Sequence, residues 1–124
     1  MSKKAGYKML FTAPARGDIR DVMEWSRKHF GRAAAERYDA LLTQAMDDIS
    51  ENPIRPGAKQ RATISPGLWV YHLQFSRDRA VTESGIVKQP RHFLVYRIVG
   101  SVIRLLRILH DSRDLARHIP GASD

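Results

Sequence analysis

The densest run of chemistry-bearing side chains in the sequence is His110-Asp111-Ser112-Arg113-Asp114-Leu115-Ala116-Arg117-His118. Three kinds of chemistry fit those residue types. His110, Asp114 and His118 recur at steps of four and would offer a metal two imidazoles and a carboxylate, provided the stretch is helical from His110 onward. The pattern running into His110 is that of a strand end, so no metal ligand is assigned. A structural use is that Asp111 or Ser112 caps a short C-terminal helix anchored by Leu115 and Ile119. The third use is an anion or phosphodiester site. Cleaving RNA takes a base for the 2′-hydroxyl, an acid for the leaving oxygen and cations on the phosphate. Arg97, Arg104, Arg107 and Arg113 could supply the cations, with His110 or His72 as base. Lone strand histidines are more often structural, and no catalytic residue is assigned; in a ribonuclease, Arg97, Arg107 and His110 would carry the reaction. Ser112 lacks a glycine elbow and no glycine-rich phosphate loop exists, so a serine nucleophile has no support.

Composition narrows the classes further. Zero cysteines exclude disulfides, thiolate nucleophiles and thiolate zinc sites. At 124 residues, 43% hydrophobic and 27% charged, the chain is one folding unit rather than a disordered one. It is expected to be a single domain over 1–124, with 1–6 and 121–124 as tails. A net charge of +8 draws it to something anionic: nucleic acid, a membrane surface or an acidic protein segment. The charge is locally sorted, with Asp39, Asp47, Asp48 and Glu51 in one stretch lacking basic residues, and six arginines from Arg91 to Arg117. No run approaches the roughly 18 apolar residues of a spanning helix, and the basic start lacks the apolar stretch of a signal peptide. A soluble cytoplasmic protein is expected.

The elements that must position these residues follow from periodicity. Tyr7 to Phe11 suits a first strand, and Thr12 and Pro14 read as a cap and an early-turn proline. Ile19, Val22, Met23, Ser26 and Phe30 form a helical stripe, closed at Gly31 by a left-handed cap. Tyr38, Leu41, Leu42, Ala45 and Ile49 repeat it in a second helix, which Asn52-Pro53 ends near Glu51. The region from Ile54 to Pro66 reads as a polar loop. The period then drops to two, with Trp69, Tyr71, Leu73 and Phe75 on one side of a strand. His92–Val99 and Val102–His110 form a hairpin around Gly100-Ser101. In that register Val99, Arg97, Val95 and Phe93 face Val102, Arg104, Leu106 and Ile108 on one surface. Ile98/Ile103, Tyr96/Leu105 and Leu94/Arg107 lie on the other. Both surfaces are mostly apolar and the helical hairpin covers one, so the Arg97/Arg104 side is expected as an open groove for an acidic, amphipathic partner. Arg113 and Arg117, at i and i+4, are expected to share a helix face.

The order of strand, two helices, three antiparallel strands and basic tail resembles the RelE/ParE superfamily of toxins from type II toxin–antitoxin systems, over about residues 7 to 120. Thr12 to Ile19, with Pro14, Asp18 and Ile19, resembles the family's cap and first-helix opening, and Asn52-Pro53 its helix-two ending. Pro90 to Arg97 and Arg107-Ile108-Leu109-His110 resemble the ParE branch, whose last strand typically reads Arg-Val-Leu-His. The sequence departs from the pattern in a longer Arg77 to Gln89 connection and in Gly17 inside the first helix. The resemblance implies an α+β fold: an N-terminal strand, an α-helical hairpin on a small, mainly antiparallel sheet, and a short C-terminal helix. It also implies a plasmid-stabilising toxin that inhibits DNA gyrase without catalysis, needs no cofactor and is neutralised by a ParD-like antitoxin. Phe93, Val95, Arg97, Arg104, Leu106 and Ile108 are the expected antitoxin contacts, and Arg113, Arg117 and His118 the expected target contacts. The alternative is the RelE-like branch, which cuts ribosome-bound messenger RNA with a Lys/Arg cluster and often a C-terminal Tyr. This chain has no Tyr after Tyr96, and only Lys88 follows Lys59.

Overall fold

The computed structural model describes residues 6–113 and 115–118. They form β1 (Lys8–Phe11), α1 (Ala13–Phe30), α2 (Arg32–Glu51), β2 (Ala58–Gln60), β3 (Leu68–His72), a 3-10 segment (Leu73–Arg79), β4 (His92–Val99), β5 (Val102–His110) and α3 (Leu115–His118). The architecture is α+β, as the sequence implies. The tail residues 1–5 and 121–124, together with Asp114 and Ile119, lie outside the described residues. Among the described residues no helix is long and apolar enough to cross a membrane.

Thr12 caps α1 by accepting the Ala15 N–H at 3.2 Å, and a proline sits in the first turn. Gly31 ends α1 and begins α2. Its N–H closes on the Arg27 carbonyl and its own carbonyl accepts from Ala35, so one residue serves both helices. Its φ of 94° is costly for any residue with a Cβ, while its ψ of 174° is extended rather than the αL value expected. α2 buries Leu41, Leu42, Ala45 and Ile49, as its stripe predicts. The α1 stripe fails at its end, where Phe30 is 67% exposed beside Trp25 at 53%.

The sheet runs β1-β5-β4-β3-β2, with β1 parallel to β5 and every other pair antiparallel. β2 falls inside the expected polar loop and is too short, at three residues, to show a period. β3 stops at His72 instead of reaching Phe75. From Leu73 the chain coils so that Leu73 and Ser76, three apart, both enter the core, and the His72 side chain caps the turn by accepting from the Gln74 N–H.

The hairpin forms around Gly100, whose φ is 61°, and the predicted pairs hold from Val99/Val102 to Tyr96/Leu105. Beyond them a β-bulge shifts the register by one: Val95 faces Arg107, Leu94 faces Ile108, Phe93 faces Leu109 and His92 faces His110. The expected pairs Val95/Leu106, Phe93/Ile108 and Leu94/Arg107 do not form. The start of α1 stabilises the bulge. Thr12 Oγ1 donates to the Leu106 carbonyl at 2.9 Å, and the Asp18 carboxylate accepts the Ile108 N–H at 2.9 Å. Arg107 then closes on the same carboxylate through Nε and Nη2, at 2.8 and 2.9 Å.

The core is consequently two-sided. Leu94, Tyr96, Ile103, Leu105 and Ile108 face the helical hairpin, with Leu41, Leu42, Ala45 and Ile49 above them. On the opposite face Leu68, Val95, Leu109 and Leu115 are buried together, flanked by Ile64, Val70, Phe93 and Leu106. The open apolar groove expected on that face is thus largely filled by the chain itself. Leu115 docks α3 there, and Arg97 donates to the Pro66 carbonyl and the Ser65 hydroxyl.

Candidate functional site

Antiparallel pairing brings the last residue of β3, the first of β4 and the last of β5 to one end of the sheet, and all three are histidines. His72 pairs with Phe93 in register, and His92 lies opposite His110, their rings edge to face at 5.3 Å. Without the bulge His92 would face Leu109. This is why the cluster is invisible to a simple hairpin register.

Fixed donors set the proton on two of the rings. The Gln74 N–H can only donate, so His72 accepts at Nδ1 and donates from Nε2 to Asp111 Oδ2 at 3.0 Å. The Ser112 N–H and hydroxyl, at 3.1 and 2.8 Å, likewise make His110 Nδ1 an acceptor. Tyr38 accepts from the Arg91 N–H, and its hydroxyl shares a hydrogen bond with His92 Nδ1 at 2.7 Å. In His72 and His110 the ring proton therefore sits on Nε2. Burial, with His110 alongside, lowers the His92 pKa to about 4. Burial also pushes the Tyr38 phenol up to about 12, keeping it protonated. Burial works against the Asp111 carboxylate, but hydrogen bonds from Arg91 and His72 outweigh it and hold its pKa below the usual range.

Tyr38, His92 and His110 form the floor of a cleft of about 1130 Å³ between the helical hairpin and residues 84–89. Trp25 and Phe30 stand in its wall, and Arg37, Lys88 and Arg113 supply positive charge. In the sequence Tyr38 stands out only as part of the α2 stripe, and nothing marks Arg91 or His92 for chemistry. The signal that could have found them is the coincidence of three histidines at strand ends.

Each of the ribonuclease candidates has hydrogen-bond partners within the protein. Arg107 is spent on Asp18 and on the His118 carbonyl, Arg97 on Ser65 and Pro66, and His110 on Ser112. Of the six expected antitoxin contacts, Val95 is fully buried and Ile108 lies on the helix side, while Phe93, Arg97 and Leu106 are partly accessible and Arg104 is exposed. Among the expected target contacts, Arg113 precedes α3 rather than sharing its face with Arg117, because the helix begins only at Leu115. Arg117 is exposed and His118 half-buried. Asp111 and Ser112 do not cap α3, having turned to Arg91, His72 and His110. His110 belongs to β5, so it cannot share a helical metal face with His118.

Comparison with known proteins places this geometry. No curated protein matches the chain in sequence. Among solved structures, the chromosomal ParDE toxin–antitoxin system from P. aeruginosa is similar with a TM-score of 0.61 at 13% identity, covering 86% of this chain and 98% of that one. The YoeB/ParE toxin from Agrobacterium tumefaciens gives 0.50 at 15% identity, covering 83% and 96%. Both likenesses concern the fold. The profile of the ParE toxin of the type II toxin–antitoxin system parDE matches residues 9–115, from β1 through the bulged hairpin to the first residue of α3. With most of its length under that profile, the chain belongs to the ParE toxin family of type II toxin–antitoxin systems.

Proposed function

We propose that this toxin acts on DNA gyrase without catalysing bond cleavage itself, and that a ParD-like antitoxin neutralises it in the cytoplasm. The reading is supported by the state of the acid–base groups. Each imidazole of the histidine cluster has Nδ1 engaged in a hydrogen bond within the protein, and Arg107 is committed to Asp18. A ribonuclease needs a base free to take a proton and cations free to meet a phosphate. Exposed Arg104, with the partly accessible Phe93, Arg97 and Leu106 beside it, meets acidic side chains of the antitoxin, and Arg113, Arg117 and His118 meet the target. Inducing the protein alone should produce gyrase-linked DNA breaks while transcripts stay intact. Codon-positioned cuts in messenger RNA with intact DNA would replace this reading with a RelE-like ribosome-dependent endoribonuclease.

A further inference from the structure

We propose that the tip of the helical hairpin is a contact for duplex DNA, with Phe30 as a wedge between base pairs and Arg27, Lys28 and Arg32 on the flanking phosphates. The proposal rests on the gyrase reading for its setting, since an enzyme that acts on duplex DNA holds that polyanion beside any toxin bound to it.

The tip is unlike the rest of the two helices. From Trp25 to Ala35 the chain carries three cations, Arg27, Lys28 and Arg32, and no carboxylate. None of the three makes a hydrogen bond or ion pair through its side chain among the described residues. A single glycine joins the helices, and every residue from Arg27 to Ala33 is exposed. A side chain at Gly31 would meet no atom within 4 Å beyond its neighbours in the chain, so the turn faces open solvent. Phe30 stands at the very end of α1, left in water although the stripe of that helix would bury it. An apolar wedge flanked by cations is how proteins that read no bases unstack and kink a duplex, and neutralising phosphates supplies the affinity.

Other occupants fit this tip less well. A second copy would bring two sets of three cations together. A lipid surface is held by a helix lying along it on an apolar face, or by two separate anchors. In this hairpin Leu41, Leu42, Ala45 and Ile49 are spent on the core, which leaves little more than two rings at the tip. Single-stranded nucleic acid needs a succession of open ring faces on which its bases stack. Trp25 is instead stacked on His29 at 4.3 Å, and Phe30 meets Trp25 edge to face at 5.4 Å. A wedge needs only the free end of one ring.

The test titrates the full-length chain against a mixed-sequence DNA duplex carrying 2-aminopurine, at several salt concentrations. Three phosphate contacts correspond to a logarithmic salt slope of about −2.7. Lys28→Ala/Arg32→Ala should weaken binding by roughly tenfold or more at low salt and flatten the slope by about 2. Lys59→Ala/Arg61→Ala removes the same charge from exposed positions at the β2 edge of the sheet and should leave the slope unchanged. Phe30→Ser should keep the duplex bound but abolish the 2-aminopurine brightening that reports unstacking, and should lower gyrase-linked breaks at equal expression. All five positions are exposed, so circular dichroism should show an intact fold. Equal losses in the two double variants would reduce the binding to net charge and overturn the proposal, as would undiminished brightening in Phe30→Ser. Absence of duplex binding by a parent chain that still causes gyrase-linked breaks would overturn the DNA contact and leave the gyrase reading intact. Duplex binding through the tip without such breaks would remove the gyrase reading and uphold the contact. Binding to phosphatidylglycerol vesicles that is lost on the tip substitutions while duplex binding persists would assign the tip to a lipid surface and overturn the proposal.

Discussion

Among the described residues Asp48 is the charged side chain that the fold takes furthest from water, at 3% exposure, and the groups around it explain how it stays ionised. Arg79 closes on both its oxygens, Ser76 donates from the core side, Gln44 donates at 3.0 Å and Arg55 stands at 3.5 Å. Burial opposes the charge, but these donors outweigh it and the Asp48 pKa is lowered. Asp48→Asn should therefore cost about 2 to 3 kcal/mol in urea unfolding, less than a fully buried pair because Arg79 is half in water. His92 makes a prediction of the opposite chemical kind. Its folded pKa, about 4, lies below the ordinary 6.5, so between those values the unfolded chain binds a proton that the folded chain does not. Stability should fall as pH drops through that window, by ~3 kcal/mol at most. His92→Gln, which can still hydrogen-bond with Tyr38, should flatten the dependence between pH 6.5 and 4. None of this was legible residue by residue: Asp48 reads as one more acid on an acidic helix, and its partners lie 28 and 31 positions away.

At the scale of elements, the bulge in β5 shows where reading the sequence stops working. Both helices and both hairpin strands are legible because their periods and breakers are local: Thr12, Gly31, Asn52-Pro53 and Gly100 sit at the boundaries the sequence implies. The extra residue in β5 is set by Thr12 and Asp18, about 90 positions away, and no pattern within the hairpin announces it. The same one-residue shift removes Ile108 from the expected groove and brings His92 opposite His110. Asp18→Ala would leave Nε and Nη2 of Arg107 and the Ile108 N–H without their acceptor. It should cost about 2 to 4 kcal/mol. Hydrogen exchange at the Ile108 amide should accelerate beyond what the global loss explains, because this substitution releases the bulge itself. A uniform change across the sheet would show that Asp18 only pins α1.

For the molecule as a whole, α3 divides its roles between Leu115, which is buried, and the basic residues around it. Leu115 covers Val95 and Leu109 and holds the helix on the sheet. Arg113 is exposed and carries no hydrogen bond from its side chain within the described residues, and Arg117 is exposed at the helix surface. Arg113→Ala/Arg117→Ala should lower the unfolding temperature by no more than a few degrees, the effect of ~0.5 kcal/mol, yet reduce growth inhibition at equal expression. Undiminished toxicity would move the target surface away from this end of the protein. The parallel pairing of β1 with β5 bears on when that toxicity can arise. Lys8 finds its partner only at Val102, so a chain still on the ribosome cannot close its sheet, and the apolar face of its helices lacks the surface it packs on. At ~5 to 20 residues per second, the roughly 50 residues between α2 and β5 take several seconds to emerge. Nascent chains stalled before Val102 should be readily proteolysed and harmless. Synthesis itself thereby imposes a delay, during which an antitoxin made alongside can be waiting before the toxin is complete.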